Sequence, residues 1–141
     1  MTQEDKELLL RDLGARLTYE VKAYVKNWSN LSRKYYEGVY TIYSVDPSLN
    51  QIYASKKGGS VEVILGHSDY VIKPFLRPMS SMTEEEQSTL DSMCNGVEMV
   101  SRLSGLKMFD KAFDWLNKNH FDYRDLIEKG LAIDATGLNI Y

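Results

Sequence analysis

Cysteine, histidine and proline are scarce in this chain, and each scarcity closes a route to function. Cys94 is the only cysteine among 141 residues, so an intramolecular disulfide is impossible and a cysteine-based zinc site has no basis. His67 and His120 are the only histidines. Each has a carboxylate two residues away, Asp69 and Asp122, yet neither sits in an HExxH frame or at another ligand spacing, so no metal site or cofactor is expected. Apolar stretches stop after a handful of residues, far below the ~18 to 20 that cross a bilayer, which argues against membrane spans. The first turn, Thr2-Gln3-Glu4-Asp5, is acidic where a secretory leader would be basic. These absences read together as a cytoplasmic globular protein. A large charge excess is missing too: 17 Lys and Arg face 20 Asp and Glu, a net −3, short of the basic footprint of a dedicated DNA binder.

What remains is enough for one compact domain with a sizeable core, at 43% hydrophobic residues. Thr2 and Asp5 form a capping pair ahead of Leu10, Leu13 and Leu17, predicting a helix over residues 3–17 whose interior Gly14 weakens it or marks a close approach. From Thr18 the period becomes two. Tyr19, Val21, Ala23 and Val25 share one face of a strand, Asn27 to Lys34 reads as a loop, and residues 39–45 form a second strand ending at Asp46-Pro47-Ser48. Gln51 to Ser55 is a third strand. Lys56-Lys57-Gly58-Gly59 has the glycines a hairpin turn needs, Val61, Val63 and Leu65 follow on one face of a fourth strand, and Tyr70-Val71-Ile72 adds a fifth. Pro74 and Pro78 are expected to end regular pairing.

The β segment thus runs over residues 18–78. Short turns and even spacing predict a small antiparallel barrel or curled sheet, SH3-like or Sm-like. Residues 81–130 read as helical. Ser81 with Glu84 and Thr83 with Glu86 are overlapping caps, and Leu90, Met93, Val97 and Val100 continue until Ser104-Gly105. A second helix over about 107–119 carries Phe109, Ala112, Phe113 and Leu116, with Trp115 at the edge of the stripe. A short third helix is capped by Asp122, holds Leu126 and Ile127, and stops at Gly130. Residues 131–141 form a tail, packed through Ile133, Leu138 and Tyr141 or partly disordered. The fold class is α+β in a single domain spanning 1–141.

Two blocks carry a resemblance. They are Lys73-Pro74-Phe75-Leu76-Arg77-Pro78-Met79-Ser80-Ser81-Met82-Thr83-Glu84-Glu85-Glu86, and residues 114–124, Asp114-Trp115-Leu116-Asn117-Lys118-Asn119-His120-Phe121-Asp122-Tyr123-Arg124, running into Leu126-Ile127-Glu128-Lys129-Gly130-Leu131-Ala132. In them the chain resembles a set of uncharacterised small proteins of Bacteroides-type gut bacteria, often encoded by phage or other mobile elements. The opening helix matches loosely and the β segment varies. Gly is common in that family where this sequence has Asp125, which leaves a tight turn there open. The family has no assigned activity, so the resemblance implies a mobile-element context and no catalytic residue.

Charge and aromatics are unevenly spread. Residues 18–80 hold eight Lys and Arg against five Asp and Glu, whereas residues 81–141 hold six against eleven. The β segment also contains eight of the ten tyrosines, together with Trp28 and Phe75. Strand tyrosines commonly fill cores and cross-strand pairs, so much of this surplus has a structural explanation. The remainder points to recognition. Trp28, Tyr35 and Tyr36, in the expected long loop, are the candidate contact patch for a protein partner. Lys22, Lys26, Lys56 and Lys57 beside exposed rings are the candidate nucleic-acid set, since bases stack on aromatics while lysines neutralise phosphates. A small-ligand binder, such as a sponge for a nucleotide signal that helps a phage evade host defence, is a further alternative. No catalytic set converges. Cys94 lacks a neighbouring base, Gly58-Gly59 lacks a phosphate-loop frame, Ser80-Ser81 fits helix capping, and Glu84 to Glu86 sit in a solvated first turn. The expectation is a non-enzymatic binding or regulatory protein.

Overall fold

The computed structural model describes residues 1–29, 31–95 and 102–141; side chains of 102–104 are not described. Helix α1 spans Gln3–Arg16 and is closed by the expected box: Thr2 Oγ1 accepts from the Asp5 N–H at 3.1 Å while Asp5 Oδ2 accepts from the Thr2 N–H at 2.9 Å. Gly14 does not mark a close approach, because a Cβ there meets nothing within 4 Å. The chain then makes a 3₁₀ turn at Leu17–Tyr19 and reverses at Glu20, whose φ of 54° is left-handed. Tyr19 therefore lies outside the strand predicted for it.

Five strands follow: β1 (Lys22–Ser29), β2 (Lys34–Asp46), β3 (Gln51–Lys56), β4 (Gly59–Ile64) and β5 (Tyr70–Pro78). They pair antiparallel in the order β4-β3-β2-β1-β5. Beyond them, β6 (Phe121–Asp122) and β7 (Ile133–Asp134) pair in parallel with the second half of β5. The sheet is mixed and open, not the closed antiparallel barrel that the strand spacing predicts. It does curl. The Asn27 side chain on β1 donates to the Glu62 carbonyl on β4 at 3.0 Å, although β2 and β3 lie between them in the order.

The period-two alternation locates the inner face. Val21, Ala23, Val25, Tyr40, Ile42, Ile52, Ala54, Val61, Val63, Leu65 and Ile72 are buried against Leu9, Leu10 and Leu13 of α1. A register shift between Ile42 and Ser44 lets β2 change partners: residues 34–41 pair with β1 and Thr41–Asp46 with β3. Two corrections concern this region. Asn27 to Ser29 belong to β1 and Lys34 opens β2, so the expected loop is a tight hairpin end whose tip residue Asn30 lies outside the described residues. Pro74 does not end β5; it sits opposite Ala23 at the last register position against β1, where a missing N–H costs least. Beyond it, Phe75 to Pro78 are held by β6 and β7.

The remaining chain is helical only in part. Helix α2 (Glu84–Cys94) is capped by Thr83, whose Oγ1 accepts from the Glu86 N–H at 3.2 Å; Ser81 instead donates to the Pro78 carbonyl at 2.7 Å. Val97 and Val100 lie outside the described residues. Helix α3 (Arg102–Lys118) runs through Ser104-Gly105, which therefore do not end a helix. Ala112 and Leu116 are buried, whereas Phe109 and Phe113 of the predicted stripe are exposed. No third helix forms around Leu126; the segment is a series of turns, because Asp122 accepts from the Leu126 and Ile127 N–H groups at 2.9 and 2.8 Å without a helical ladder following. Asp125 adopts φ 58°, so the turn that favours glycine is made by aspartate. Leu76, Leu126, Leu131 and Ala132 form a second apolar cluster. The tail packs through β7 and Tyr141 rather than through Leu138, which is exposed.

Candidate functional site

The hairpin β1–β2 and its neighbours gather most of the residues singled out from the sequence. Cross-strand partners project to the same side of a sheet, so the pairs Lys22/Thr41, Tyr24/Val39, Lys26/Glu37 and Trp28/Tyr35 lie on the face opposite α1. On β5, Val71 and Lys73 join that face opposite Lys26 and Tyr24. After the register shift, Tyr43 and Tyr53 continue it with ring centroids 6.3 Å apart. Trp28 and Tyr35 are 4.7 Å apart, Lys26 Nζ lies 5.5 Å from the Tyr35 ring, and the Tyr24 hydroxyl donates to Glu37 at 2.6 Å. That last bond raises the Tyr24 pKa, because a phenol donating to a carboxylate resists ionisation. Tyr35 is 65% and Tyr43 54% exposed, and Val39 and Val71 are exposed as well. Described elements pack helix α1 on the inner face and leave this outer face with Tyr35 and Tyr43 exposed among half-buried rings and lysines.

Tyr36 points the other way. It pairs with Asn27, which pairs in turn with Tyr70, so the three form one row across β2, β1 and β5 on the inner side. Here the curled sheet leaves a groove of about 420 Å³ between the hairpin and β4, lined by residues including Asn27, Tyr36, Ser60, Glu62 and Tyr70. A neighbouring hollow of about 230 Å³ shares Tyr36, Ser60 and Val61 and reaches Lys56, Lys57, Gly58 and Gly59 at the β3–β4 turn. The lysine set is therefore divided. Lys26 is on the outer face; Lys56 and Lys57 stand beside Tyr35 and Tyr36, with Lys56 Nζ 4.5 Å from the Tyr40 ring; Lys22 is held at the far end by the tail, where its Nζ donates to the Ile140 carbonyl at 2.9 Å.

The histidines have other surroundings. His67 is exposed, with Nδ1 accepting from the Asp69 N–H at 3.3 Å and its ring against Tyr70. His120 is buried, and Tyr141 stacks on it at 3.6 Å and 8°. Burial and the cations Arg16, Lys22 and Arg77 push His120 down to about 4, so the ring is neutral at pH 7. Asp122 turns away from it to cap Leu126 and Ile127. Among the described residues no group of three His, Cys, Asp or Glu is placed to hold a metal.

Sequence reading missed a buried polar knot. Arg16 is fully buried, donates through Nε and Nη2 to both oxygens of Asp12 at 2.8 and 2.9 Å, and through Nη2 to the Phe121 carbonyl at 2.7 Å. Arg124 adds a further bond to Asp12 at 2.8 Å. The i,i+4 spacing of Asp12 and Arg16 was a local signal, though an ordinary surface pair has the same spacing. Beside the knot, a hollow of about 260 Å³ is lined by Arg77, Ser81 and the tail, but Arg77 Nη2 is committed to Glu86 at 2.9 Å. No helix among the described residues is long and apolar enough to cross a membrane. Compared with known proteins, the chain matches no family model, no curated protein and no solved structure.

Proposed function

We propose that this chain is a non-enzymatic binding or regulatory protein that recognises a macromolecular partner, with a protein the favoured partner, through the outer face of its sheet. One observation carries the reading: Tyr24, Trp28, Tyr35, Tyr43 and Tyr53 share the side opposite α1, where aromatic rings contribute nothing to the apolar cluster around that helix. Large rings with few rotatable bonds are the side chains that dominate interface energetics. The curl of β1–β5 supports an SH3-like or Sm-like arrangement left open along β4. A phage or mobile-element context, which the sequence resemblance implies, fits a protein whose role is to engage a host component.

The test is capture from a native host lysate with mass-spectrometric identification, comparing the parent chain with a Trp28→Ala, Tyr35→Ala, Tyr43→Ala variant of unchanged thermal unfolding. A partner retained by the variant at full yield refutes this placement.

A second reading, nucleic-acid binding, rests on Lys26 over Tyr35 and on Lys56 and Lys57 beside Tyr36. Titration with single- and double-stranded oligonucleotides at two salt concentrations separates the two, since phosphate contacts weaken steeply with salt.

A further inference from the structure

We infer that the groove between the β1–β2 hairpin and β4 binds a free nucleotide, its base between Tyr36 and Tyr70 over the Asn27 amide and its phosphate toward Lys57. The inference goes beyond the outer face, which lies on the other side of the sheet.

Three features converge there. First, Tyr36 and Tyr70 flank Asn27 on adjacent strands. Strands lie ~4.8 Å apart, so the two tyrosines stand about 10 Å apart across β1, wide enough for a planar ring system to enter between them and stack on one. Second, Asn27 is only 8% exposed, and its two amide atoms are unequal. Nδ2 donates to the Glu62 carbonyl at 3.0 Å, which fixes the amide orientation, whereas Oδ1 is buried with no hydrogen-bond partner among the described residues. A buried carbonyl oxygen left unpaired is costly, and a ligand N–H is the group that relieves it. Third, the groove continues past Tyr36 and Ser60 into the hollow at the β3–β4 turn, where Lys57 makes no ion pair among the described residues and Gly58 and Gly59 carry no side chain to obstruct an anion.

Each feature selects part of the ligand. The paired rings favour a flat body, the orphan oxygen favours a donor on its edge, and the lysine favours an anion in the adjoining hollow. An aminated base on a sugar phosphate meets all three. The groove volume of about 420 Å³ falls in the range of small-molecule sites.

Isothermal titration calorimetry with adenosine monophosphate tests this. Saturable one-to-one binding is expected. The analogue with hydrogen in place of the exocyclic amine, purine riboside monophosphate, and the variant Asn27→Leu should each bind about tenfold more weakly, the usual worth of one lost hydrogen bond at a buried partner. Lys57→Glu should weaken binding and flatten its salt dependence. Leu138→Ala, exposed in the tail, should leave it unchanged. If Asn27→Leu fails to fold, Tyr36→Ala and Lys57→Glu, both at the surface, carry the same test. No saturable binding at millimolar nucleotide, or affinity indifferent to Asn27, Tyr36 and Lys57, overturns the inference. Binding of a short oligoadenylate but not of the mononucleotide also overturns it, and supports nucleic-acid binding at the outer face instead.

Discussion

The sheet and the C-terminal third are held together by different chemistry. Around α1, the sheet core is built from Val, Ile, Leu, Ala and Tyr40, side chains that any strand of correct period would bury. Across β5, β6 and the tail, buried Arg16, Asp12 and His120 are tied to partners elsewhere in the chain, with Arg124 and Tyr141 closing over them from the surface. An apolar core tolerates exchange of one hydrocarbon for another of similar volume. A buried ion pair does not tolerate loss of one partner, because the other charge is then stranded. The two regions should therefore fail in different ways.

The largest effect is expected at Arg16. Arg16→Ala strands the Asp12 carboxylate with Arg124 alone and frees the Phe121 carbonyl, and should cost about 3–5 kcal/mol in urea unfolding. A loss below 1 kcal/mol would erase the distinction between the regions. Next comes pH. His120 has its folded pKa lowered to about 4, so the unfolded chain binds the extra proton first and stability falls as pH drops from 6.5 toward 4. Between pH 7 and pH 5 the loss from this group is about 2 kcal/mol. His120→Asn, which tolerates the φ of 60° found there, should flatten that slope; an unchanged slope assigns the pH dependence elsewhere.

Smaller still is Tyr141→Phe. The hydroxyl accepts from the Lys22 N–H at 3.1 Å and donates to the Phe75 carbonyl at 2.9 Å, so its removal should cost about 1 kcal/mol while the stack on His120 persists. The smallest change should have the opposite sign: Gly14→Ala, exposed in the α1 interior with open space for a methyl, should stabilise by up to ~1 kcal/mol.

The same contrast explains what the sequence makes legible. Alternation at Val21, Ala23 and Val25 and at Val61, Val63 and Leu65 encodes strands locally, and Thr2 with Asp5 encodes a cap within one turn. The polar core is not encoded locally. Arg16 meets Phe121 across 105 residues and Arg124 meets Asp12 across 112, so neither pair leaves a periodic trace. Trp28, Tyr35 and Tyr36 stand out from composition as candidates for recognition, but the polar stretch around them reads as loop when it is strand and hairpin end. That error hides the register, which pairs Trp28 with Tyr35 and Tyr36 with Asn27, although Trp28 and Tyr36 both border the groove beside β4. Asn27 has no signature in the sequence, since one amide on a strand cannot be told from another until its cross-strand neighbours are known.

The change of partners along β2 leaves the outer edge of residues 34–40 without a neighbouring strand. Lys56 reaches over it: its ammonium lies 3.4 Å from the Glu37 carbonyl and within 3.2 Å of where a side chain on Gly38 would begin. A second molecule attempting to zip its own hairpin onto that edge would meet a fixed positive charge in the first rung. The protein thus guards this stretch of β2 against the strand-by-strand addition from which fibrils grow, while the outer edge of β4 carries no such guard among the described residues.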